Sequence, residues 1–203
     1  MKTRHFSFVR HGKVNGPAAL YGKTNIASST RGQQELFAGL ERLHQEMPID
    51  YIFTSPLQRC AQTAEEFATH HLLPISTMDE LQECNFGDWD GVDFNLLKHQ
   101  WPQLELFWQT PLHSTPPNGE NLKTFSNRIN HAWQEIQNQQ YCDHTLIVCH
   151  AGSIRMVIAS LLNIPLESPL FQQLHIDYCS HTRIDICDHP DAKPVVRWIG
   201  ALL

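Results

Sequence analysis

Short continuous apolar runs alternate along this chain with longer stretches in which apolar residues recur at helical spacing. Residues 5–9 form the first run, which ends at Arg10-His11-Gly12, as expected for a buried strand that opens into a loop. Beyond Thr30, apolar side chains recur every three or four residues as far as Leu43, a pattern that predicts an amphipathic helix. Strand and helix therefore alternate from the start of the chain.

The same order of strand, loop and helix is repeated further along. Residues 50–54 predict a second strand, and residues 57–70 predict a helix with Pro56 suited to its first turn. Residues 145–149 predict another buried strand, followed by a helix over residues 153–162. This repetition predicts an α/β fold in which parallel strands are joined by right-handed crossovers.

The remaining segments predict an insertion and three later strands. Residues 86–117 carry aromatic side chains among polar ones and end in a turn rich in proline and glycine, so we expect a mostly helical insertion over one end of the sheet. A hairpin turn is expected at residues 188–191. The predicted later strands are residues 174–178, 182–187 and 194–199.

Composition narrows the class of protein. The 203 residues fit a single domain, residues 1–203, and 41% hydrophobic with 18% charged residues is ordinary for a globular chain. The formal charge of -6 argues against general binding to nucleic acid, which needs a basic face. No run of 18 apolar residues and no secretory signal pattern is present, so we expect a cytoplasmic protein that does not enter a membrane.

Cysteine and histidine residues give no sign of a metal centre. The six cysteines contain no CxxC pair, and we interpret them as reduced thiols. Most of the 13 histidines are scattered through polar segments, such as His70, His71, His99 and His131. We therefore expect neither a metal ion nor another cofactor.

Two arginines and two histidines follow the ends of predicted strands. Arg10 and His11 follow the first strand, Arg59 lies just beyond the second, and His150 follows the strand at residues 145–149. In an open α/β sheet such positions converge at one edge, where ligands bind. A lone Arg-His-Gly tripeptide is more often an ordinary loop. Two guanidinium groups beside two imidazoles, however, favour a phosphoryl site, because guanidinium forks bind its oxygens and imidazole can act as nucleophile.

The chain resembles the histidine phosphatase superfamily, also called the phosphoglycerate mutase-like family. The resemblance implies a three-layer α/β/α sandwich with a mostly parallel sheet and a metal-independent phosphoric monoester hydrolase. It rests on five ordered motifs: FVRHG at 8–12, LYGKTNIASSTRGQQ at 20–34, IFTSPLQRCAQTA at 52–64, ELQECNFGDWDG at 80–91 and VCHAGSIR at 148–155.

By this resemblance, His11 is the nucleophile that carries the phosphoryl group as a phosphohistidine. Arg10, Arg59 and His150 hold the phosphoryl oxygens. Glu83 is the general acid, which protonates the leaving alkoxide and then accepts a proton from the hydrolytic water. Glu80 is its competitor for that role, and Glu83 is preferred because it holds the family's position before Phe86-Gly87.

Four further positions are candidates for binding substrate. Tyr21 and Gly22 match a loop that lines the pocket in relatives, although Gly22 could serve only a tight turn. Asn15 could bind the phosphate or satisfy its own backbone. Ala151 could offer a backbone N–H at a helix N-terminus.

Three other residues receive structural or open interpretations. Cys149 is interpreted as strand core, and Trp89 as packing at the mouth of the site. Lys13 stands where relatives mostly carry Glu or Gln, which adds a positive charge near the phosphate pocket and leaves its role open. Val14 and Asn25 also depart from the common pattern.

The segment FGDWDG followed by TPPNGENLKTFSNRI resembles the α-ribazole phosphatases of cobalamin biosynthesis. We therefore hypothesise that the substrate, a small phosphorylated metabolite, is α-ribazole phosphate. The alternatives are a broad-specificity sugar-phosphate phosphatase, a phosphoglycerate mutase-type phosphotransferase, and an inactive phosphate-binding scaffold. A mutase is disfavoured because Asp88, Asp90 and Asp93 stand where mutases carry basic residues. A monomer and a homodimer are both compatible with the sequence.

Overall fold

A six-stranded sheet forms the centre of the computed structural model, which describes residues 2–138, 142–189 and 191–203. Its strands are β1 (Thr3–Arg10), β2 (Tyr51–Thr54), β3 (Ile75–Thr77), β4 (His144–Cys149), β5 (Ser180–Cys187) and β6 (Val195–Leu202). Their order across the sheet is β3-β2-β4-β1-β5-β6. The first four strands in this order run parallel, whereas β5 and β6 are antiparallel to their neighbours.

The pairing of β1 with β4 positions the candidate chemistry. These two central strands are in register up to Arg10, which lies opposite Cys149. The next residue on each strand is a histidine, so His11 and His150 leave the sheet side by side. The backbone N–H of His11 still donates to the carbonyl of Cys149 at 3.1 Å, which extends the pairing by one residue.

Helices cover both faces of this sheet. They are α1 (Thr30–Glu46), α2 (Gln58–His71), α3 (Trp101–Gln109), α4 (Leu122–Gln137), α5 (Ala151–Leu161) and the short α6 (Leu170–Gln173). One core lies between the sheet and α1 with α2, and the other lies between the sheet and α4 with α5. This confirms the three-layer α/β/α sandwich with a mostly parallel sheet. No helix in the described residues is long and apolar enough to cross a membrane.

Local signals explain where the helices begin. The side chain of Ser29 accepts a hydrogen bond from the backbone N–H of Gly32, and Asn121 caps α4 through Thr124 in the same way. The apolar stripe of α1 then packs Leu36, Leu40 and Leu43 into the core. The helices predicted after residues 30, 57 and 153 are present, with bounds that differ by one to a few residues.

The strand predicted at residues 174–178 is wrong. This segment is an irregular connection between α6 and β5. Its carbonyl groups accept hydrogen bonds from arginine side chains and not from a neighbouring strand. Arg10 donates to the carbonyl of Ile176 at 2.5 Å, and Arg155 donates to that of Leu174 at 2.8 Å. The hairpin turn predicted at residues 188–191 lies between the paired strands β5 and β6, and its residue 190 falls outside the described residues.

The segment 86–117 contains short 3-10 turns and the helix α3. Its own small core consists of Trp89, Leu97, Leu104 and Phe107. Trp89 is 1% exposed, and its indole N–H donates to the side chain of Gln100 at 2.7 Å. Trp89 is therefore a packing residue, as interpreted from the sequence, in a core against which Leu20, Phe86 and Trp108 also pack.

Two buried histidines share one serine hydroxyl beneath the sheet's central strands. Nδ1–H of His144 donates to the carbonyl of Met47 at 3.0 Å, because a carbonyl can only accept. Nε2 of the same neutral ring therefore has no proton and accepts from the hydroxyl of Ser7 at 2.7 Å. That hydroxyl in turn lies 2.9 Å from Nε2 of His181, which donates to it. Both imidazoles are thus neutral members of a buried hydrogen-bond chain.

This chain predicts that stability decreases on acidification. Burial lowers the pKa of His144 and of His181 to about 4, against roughly 6.5 in an unfolded chain. At pH values between about 4 and 6.5 the unfolded state binds more protons than the folded state does. The stabilisation that these two neutral histidines contribute to the folded state is therefore complete above roughly pH 6.5 and is lost as the pH falls toward 4. Each histidine contributes at most roughly 3 kcal/mol.

Urea unfolding of the wild type and of the His181→Gln variant at about pH 7 and about pH 5 measures this contribution. Glutamine keeps a donor near Ser7 but does not titrate in this range. The wild type should lose more free energy of unfolding between the two pH values than the variant does. An equal loss in both proteins would show that His181 is not a buried neutral group.

Candidate active site

A cavity of about 240 Å³ opens at the carboxyl ends of β1 and β4. Five of the residues predicted from the sequence line it: Arg10, His11, Tyr21, Glu83 and Ala151. Two more, Arg59 and His150, are completely buried beside them. The strand ends therefore converge as the sequence predicts.

The ring of His11 has a defined tautomer. Its Nδ1 lies 2.8 Å from the carbonyl oxygen of Gly12, which can only accept, so the ring proton is on Nδ1 and Nε2 carries a lone pair. Burial, and next the positive charges of Arg59 and Arg10, hold the pKa of His11 well below its usual value of 6.5. His11 is therefore a neutral imidazole with a nucleophilic nitrogen.

Arg10 lines this cavity, and one of its buried N–H groups is unpaired. Its Nη1 donates to the carbonyl of Ile176, and its guanidinium carbon lies 3.7 Å from the ring centroid of Tyr178. Its Nε is buried and has no hydrogen-bond partner among the described residues. A buried, unpaired N–H on a cation is suited to an anionic ligand such as a phosphoryl group.

Arg59 and His150 form a buried pair behind His11. Nε of Arg59 donates to Nδ1 of His150 at 3.2 Å, so Nε2 of His150 carries the proton and donates to the hydroxyl of Ser55 at 2.8 Å. The rings of His11 and His150 are 5.1 Å apart between centroids. Burial, followed by the charge of Arg59, lowers the pKa of His150 well below 6.5. His150 is thus also neutral.

The loop at residues 21–24 is bound from both sides. Arg59 donates to the carbonyls of Tyr21 and Gly22 at 2.9 and 2.7 Å. The carboxylate of Asp90 accepts from the backbone N–H of Gly22 at 3.2 Å and of Thr24 at 2.9 Å. A Cβ at Gly22 would lie 2.0 Å from the carbonyl oxygen of Cys84. Glycine is therefore needed here for close approach, and Gly22 is not among the residues with positive φ in the described chain.

Glu83 is fixed at the N-terminus of α5. Its two carboxylate oxygens accept from the backbone N–H of Cys84 at 2.9 Å and of Gly152 at 3.0 Å. Glu83 lines the cavity, whereas Glu80 lies outside its lining. Glu83 therefore borders any ligand that is bound in this cavity.

Two predicted substrate-binding residues, Asn15 and Gly22, do not line the cavity, and Lys13 also lies outside its lining. Asn15 is exposed, and its backbone N–H donates to the carbonyl of Ala27 at 3.2 Å. Lys13 lines a separate cavity with Arg31 and Glu35. The positive charge of Lys13 is therefore directed away from the phosphate pocket. Cys149 is fully buried in β4, in agreement with its interpretation as strand core.

The structure adds cavity residues that the sequence reasoning missed. They are Phe86, Trp108, Arg155, His175 and Tyr178. Arg155 had a usable signal, because it lies four residues after Ala151 on α5 and thus on the same helical face. His175 and Tyr178 belong to the segment that was wrongly predicted as a strand. Asp90, which organises the loop beside Arg59, was also missed as a site residue.

A second, more apolar pocket of about 120 Å³ adjoins the first. Four residues line both: Glu83, Phe86, Trp108 and Arg155. The wall of the second pocket is completed by apolar side chains that include Phe107, Pro111, Leu122, Phe125 and Met156. The proposed proton donor Glu83 therefore lies at the boundary between a cationic cavity and an aromatic one.

Comparison with known proteins agrees with this arrangement. The model of the histidine phosphatase superfamily (branch 1) matches residues 6–198. A relative, the adenosylcobalamin/alpha-ribazole phosphatase of Salmonella typhimurium, is 29% identical over 185 residues, which are 89% of each chain. The solved alpha-ribazole phosphatase from Shigella flexneri is 25% identical, with a TM-score of 0.82 over 98% of each chain. Bacillus stearothermophilus YhfR, 22% identical with a TM-score of 0.87 over 98% of each chain, shares the fold.

The match covers nearly the whole chain, from β1 to the middle of β6. It includes each of the strand ends that carry His11, Arg59 and His150. The chain belongs to the histidine phosphatase superfamily (branch 1), and it is an enzyme that acts as a phosphatase.

Proposed function

We propose that this enzyme hydrolyses a small phosphomonoester through a phosphohistidine formed on Nε2 of His11. The observation that carries the proposal is the buried, neutral His11, whose Nδ1 proton is held by Gly12 while Nε2 keeps its lone pair. A nucleophile in this state needs no prior deprotonation. The positive charges of Arg10 and Arg59 beside His11 repel a proton on its ring, and they therefore favour the neutral imidazole.

The first half of the proposed reaction transfers the phosphoryl group to the enzyme. Nε2 of His11 attacks phosphorus, the N–P bond forms, and the ester P–O bond breaks. Glu83 gives its proton to the departing alkoxide. The guanidinium of Arg10, which lines the cavity, binds a phosphoryl oxygen, and the charge of Arg59 stabilises the others. No step in this scheme requires a metal ion.

The second half returns the enzyme to its starting state. Glu83, now a carboxylate, takes a proton from water as that water attacks the phosphohistidine. The N–P bond breaks, inorganic phosphate leaves, and His11 is again neutral. We propose that His150 exchanges its bond to Ser55 for a phosphoryl oxygen, and that Tyr21 and the N–H of Ala151 border the substrate. Gly22 contributes by allowing the loop to approach Cys84.

We propose α-ribazole phosphate, an intermediate of cobalamin biosynthesis, as the substrate. Two observations support this choice over a plain sugar phosphate. The Salmonella typhimurium relative carries that activity in its name. Moreover, α-ribazole is a riboside of an aromatic base. The apolar pocket beside Glu83 contains the rings of Phe86 and Trp108, which could stack with that base. Since Glu83 is the proposed donor to the leaving group, the leaving group would depart on this side.

One trapping experiment tests the reaction. With p-nitrophenyl phosphate the leaving group needs no proton, so the Glu83→Gln variant should form the phosphoenzyme but hydrolyse it roughly 10²-fold or more slowly than the wild type. A burst of one nitrophenolate per site should appear. Quenching in base, which preserves phosphohistidine, should recover the label on His11.

The His11→Ala variant is the matched control and should give neither burst nor label. His131→Ala, an exposed histidine on α4, should behave as the wild type. Label that persists in His11→Ala, or that resides on another side chain, would overturn the proposed mechanism. Folding of each variant is checked by its circular dichroism.

The substrate proposal is tested by two esters that differ only in the base. We expect kcat/KM for α-ribazole 5'-phosphate to exceed that for ribose 5-phosphate by about 10-fold or more, because burial of an aromatic ring is worth roughly 1.5–3 kcal/mol and a 10-fold ratio corresponds to about 1.4 kcal/mol. Trp108→Ala should remove most of this preference. Leu106→Ala, an exposed position on the same helix and outside both pockets, is the control. Equal values for the two esters in the wild type would exclude this substrate and leave the phosphatase mechanism standing.

A further inference from the structure

A second cluster of imidazole and carboxylate groups lies at the opposite end of α1 and α2 from the candidate active site. Glu41 and His44 are on α1, and His70 and His71 form the last turn of α2. Nε2 of His71 lies 2.5 Å from a carboxylate oxygen of Glu41. Arg59 lies twelve residues before His71, so the rise along α2 separates the two sites by roughly 18 Å.

Three of these side chains have the geometry of a metal site. One possible ligand atom each from Glu41, His70 and His71 lies within 4.8 Å of the others, and the described residues contain one such group of His, Cys, Asp or Glu. A tetrahedral Zn²⁺ with bonds of about 2.0–2.1 Å places its ligand atoms roughly 3.4 Å apart. Small side-chain rotations would therefore bring the three atoms into coordination.

The cluster is held by packing on regular helices. The ring of His71 lies 4.5 Å from that of the fully buried Phe67. On its other side the ring of His44 lies 4.6 Å away, and Nδ1 of His44 is fixed by the backbone N–H of Ile49 at 3.0 Å. Leu72 ends α2 in the left-handed conformation, with its N–H bound to the last carbonyls. Such support reduces the entropy lost when an ion binds.

The electrostatic surroundings favour a cation. His70 borders a surface groove that also contains Glu65 and Glu66. The carbonyl end of α2 adds partial negative charge at the same place. Two imidazoles with one carboxylate suit Zn²⁺ and related borderline cations, whereas Mg²⁺ and Ca²⁺ prefer sites made of oxygen ligands.

We propose that Glu41, His70 and His71 bind a Zn²⁺ ion, with water completing a tetrahedral site. The ion joins α1 to the end of α2 and stabilises the folded state by an amount that grows with the logarithm of the free Zn²⁺ concentration once this exceeds the Kd. It takes no part in the phosphoryl chemistry at His11. The sequence reasoning missed this site because His70 and His71 are 29 and 30 residues from Glu41 and resemble an ordinary polar helix end.

Calorimetric titration of the untagged, metal-free protein with Zn²⁺ tests the proposal. We expect one saturable site and a melting temperature that continues to rise with Zn²⁺ concentration above the Kd. The variants Glu41→Gln, His70→Ala and His71→Ala should each weaken binding by about 10-fold or more. His70 is exposed, so His70→Ala keeps the test independent of folding defects. Turnover of p-nitrophenyl phosphate by the metal-free variants should equal that of the wild type.

His131→Ala is the matched control, because His131 faces Glu135 at 3.8 Å on α4 and the described residues place no third ligand beside them. It should bind Zn²⁺ as the wild type does. Co²⁺ in place of Zn²⁺ distinguishes imidazole from thiol ligands, and its absorption spectrum should lack a sulfur-to-cobalt charge-transfer band. Absence of saturable binding, unchanged affinity in His70→Ala and His71→Ala, or a thiolate spectrum would overturn the proposal.

Discussion

The hydrogen bond from Nδ1 of His11 to the carbonyl of Gly12 is the interaction on which the proposed chemistry depends. It determines which ring nitrogen carries the proton and leaves the other with a lone pair. Burial and the charges of Arg59 and Arg10 act in the same direction, because both disfavour the imidazolium form. The cations that the proposed mechanism uses to bind phosphate thus also keep the nucleophile reactive.

This local state requires support from several elements of the fold. The register between β1 and β4 brings His11 beside His150, and the pairing continues one residue past the strand ends. Asp90 binds the amides of the loop whose carbonyls accept from Arg59, and Arg59 in turn donates to His150. A carboxylate that does not itself line the cavity therefore helps to place a buried cation next to His11. Loss of Asp90 would release the loop and leave Arg59 with unpaired donors.

The sequence predicted the parallel core of the fold well and its periphery less well. The strands that end at Arg10 and Cys149 are continuous apolar runs, and their ends carry residues whose chemistry is unusual for a loop. By contrast, β3 has only three residues, and α4 was not predicted at all. The segment 174–178 has a strand-like pattern, yet its carbonyl groups accept hydrogen bonds from arginine side chains and not from a neighbouring strand. Such contacts, like the grouping of Glu41 with His71, depend on three-dimensional proximity that no local pattern encodes.

The central claim is that His11 is a neutral imidazole protonated on Nδ1. Nitrogen-15 NMR of the histidine side chains, with His11 assigned by comparison with the His11→Ala variant, measures this directly. We expect the ring of His11 to be neutral, with its proton on Nδ1, and to show no titration near pH 6.5, where an exposed histidine is about half protonated. A ring that titrates near 6.5, or that carries its proton on Nε2, would contradict the account.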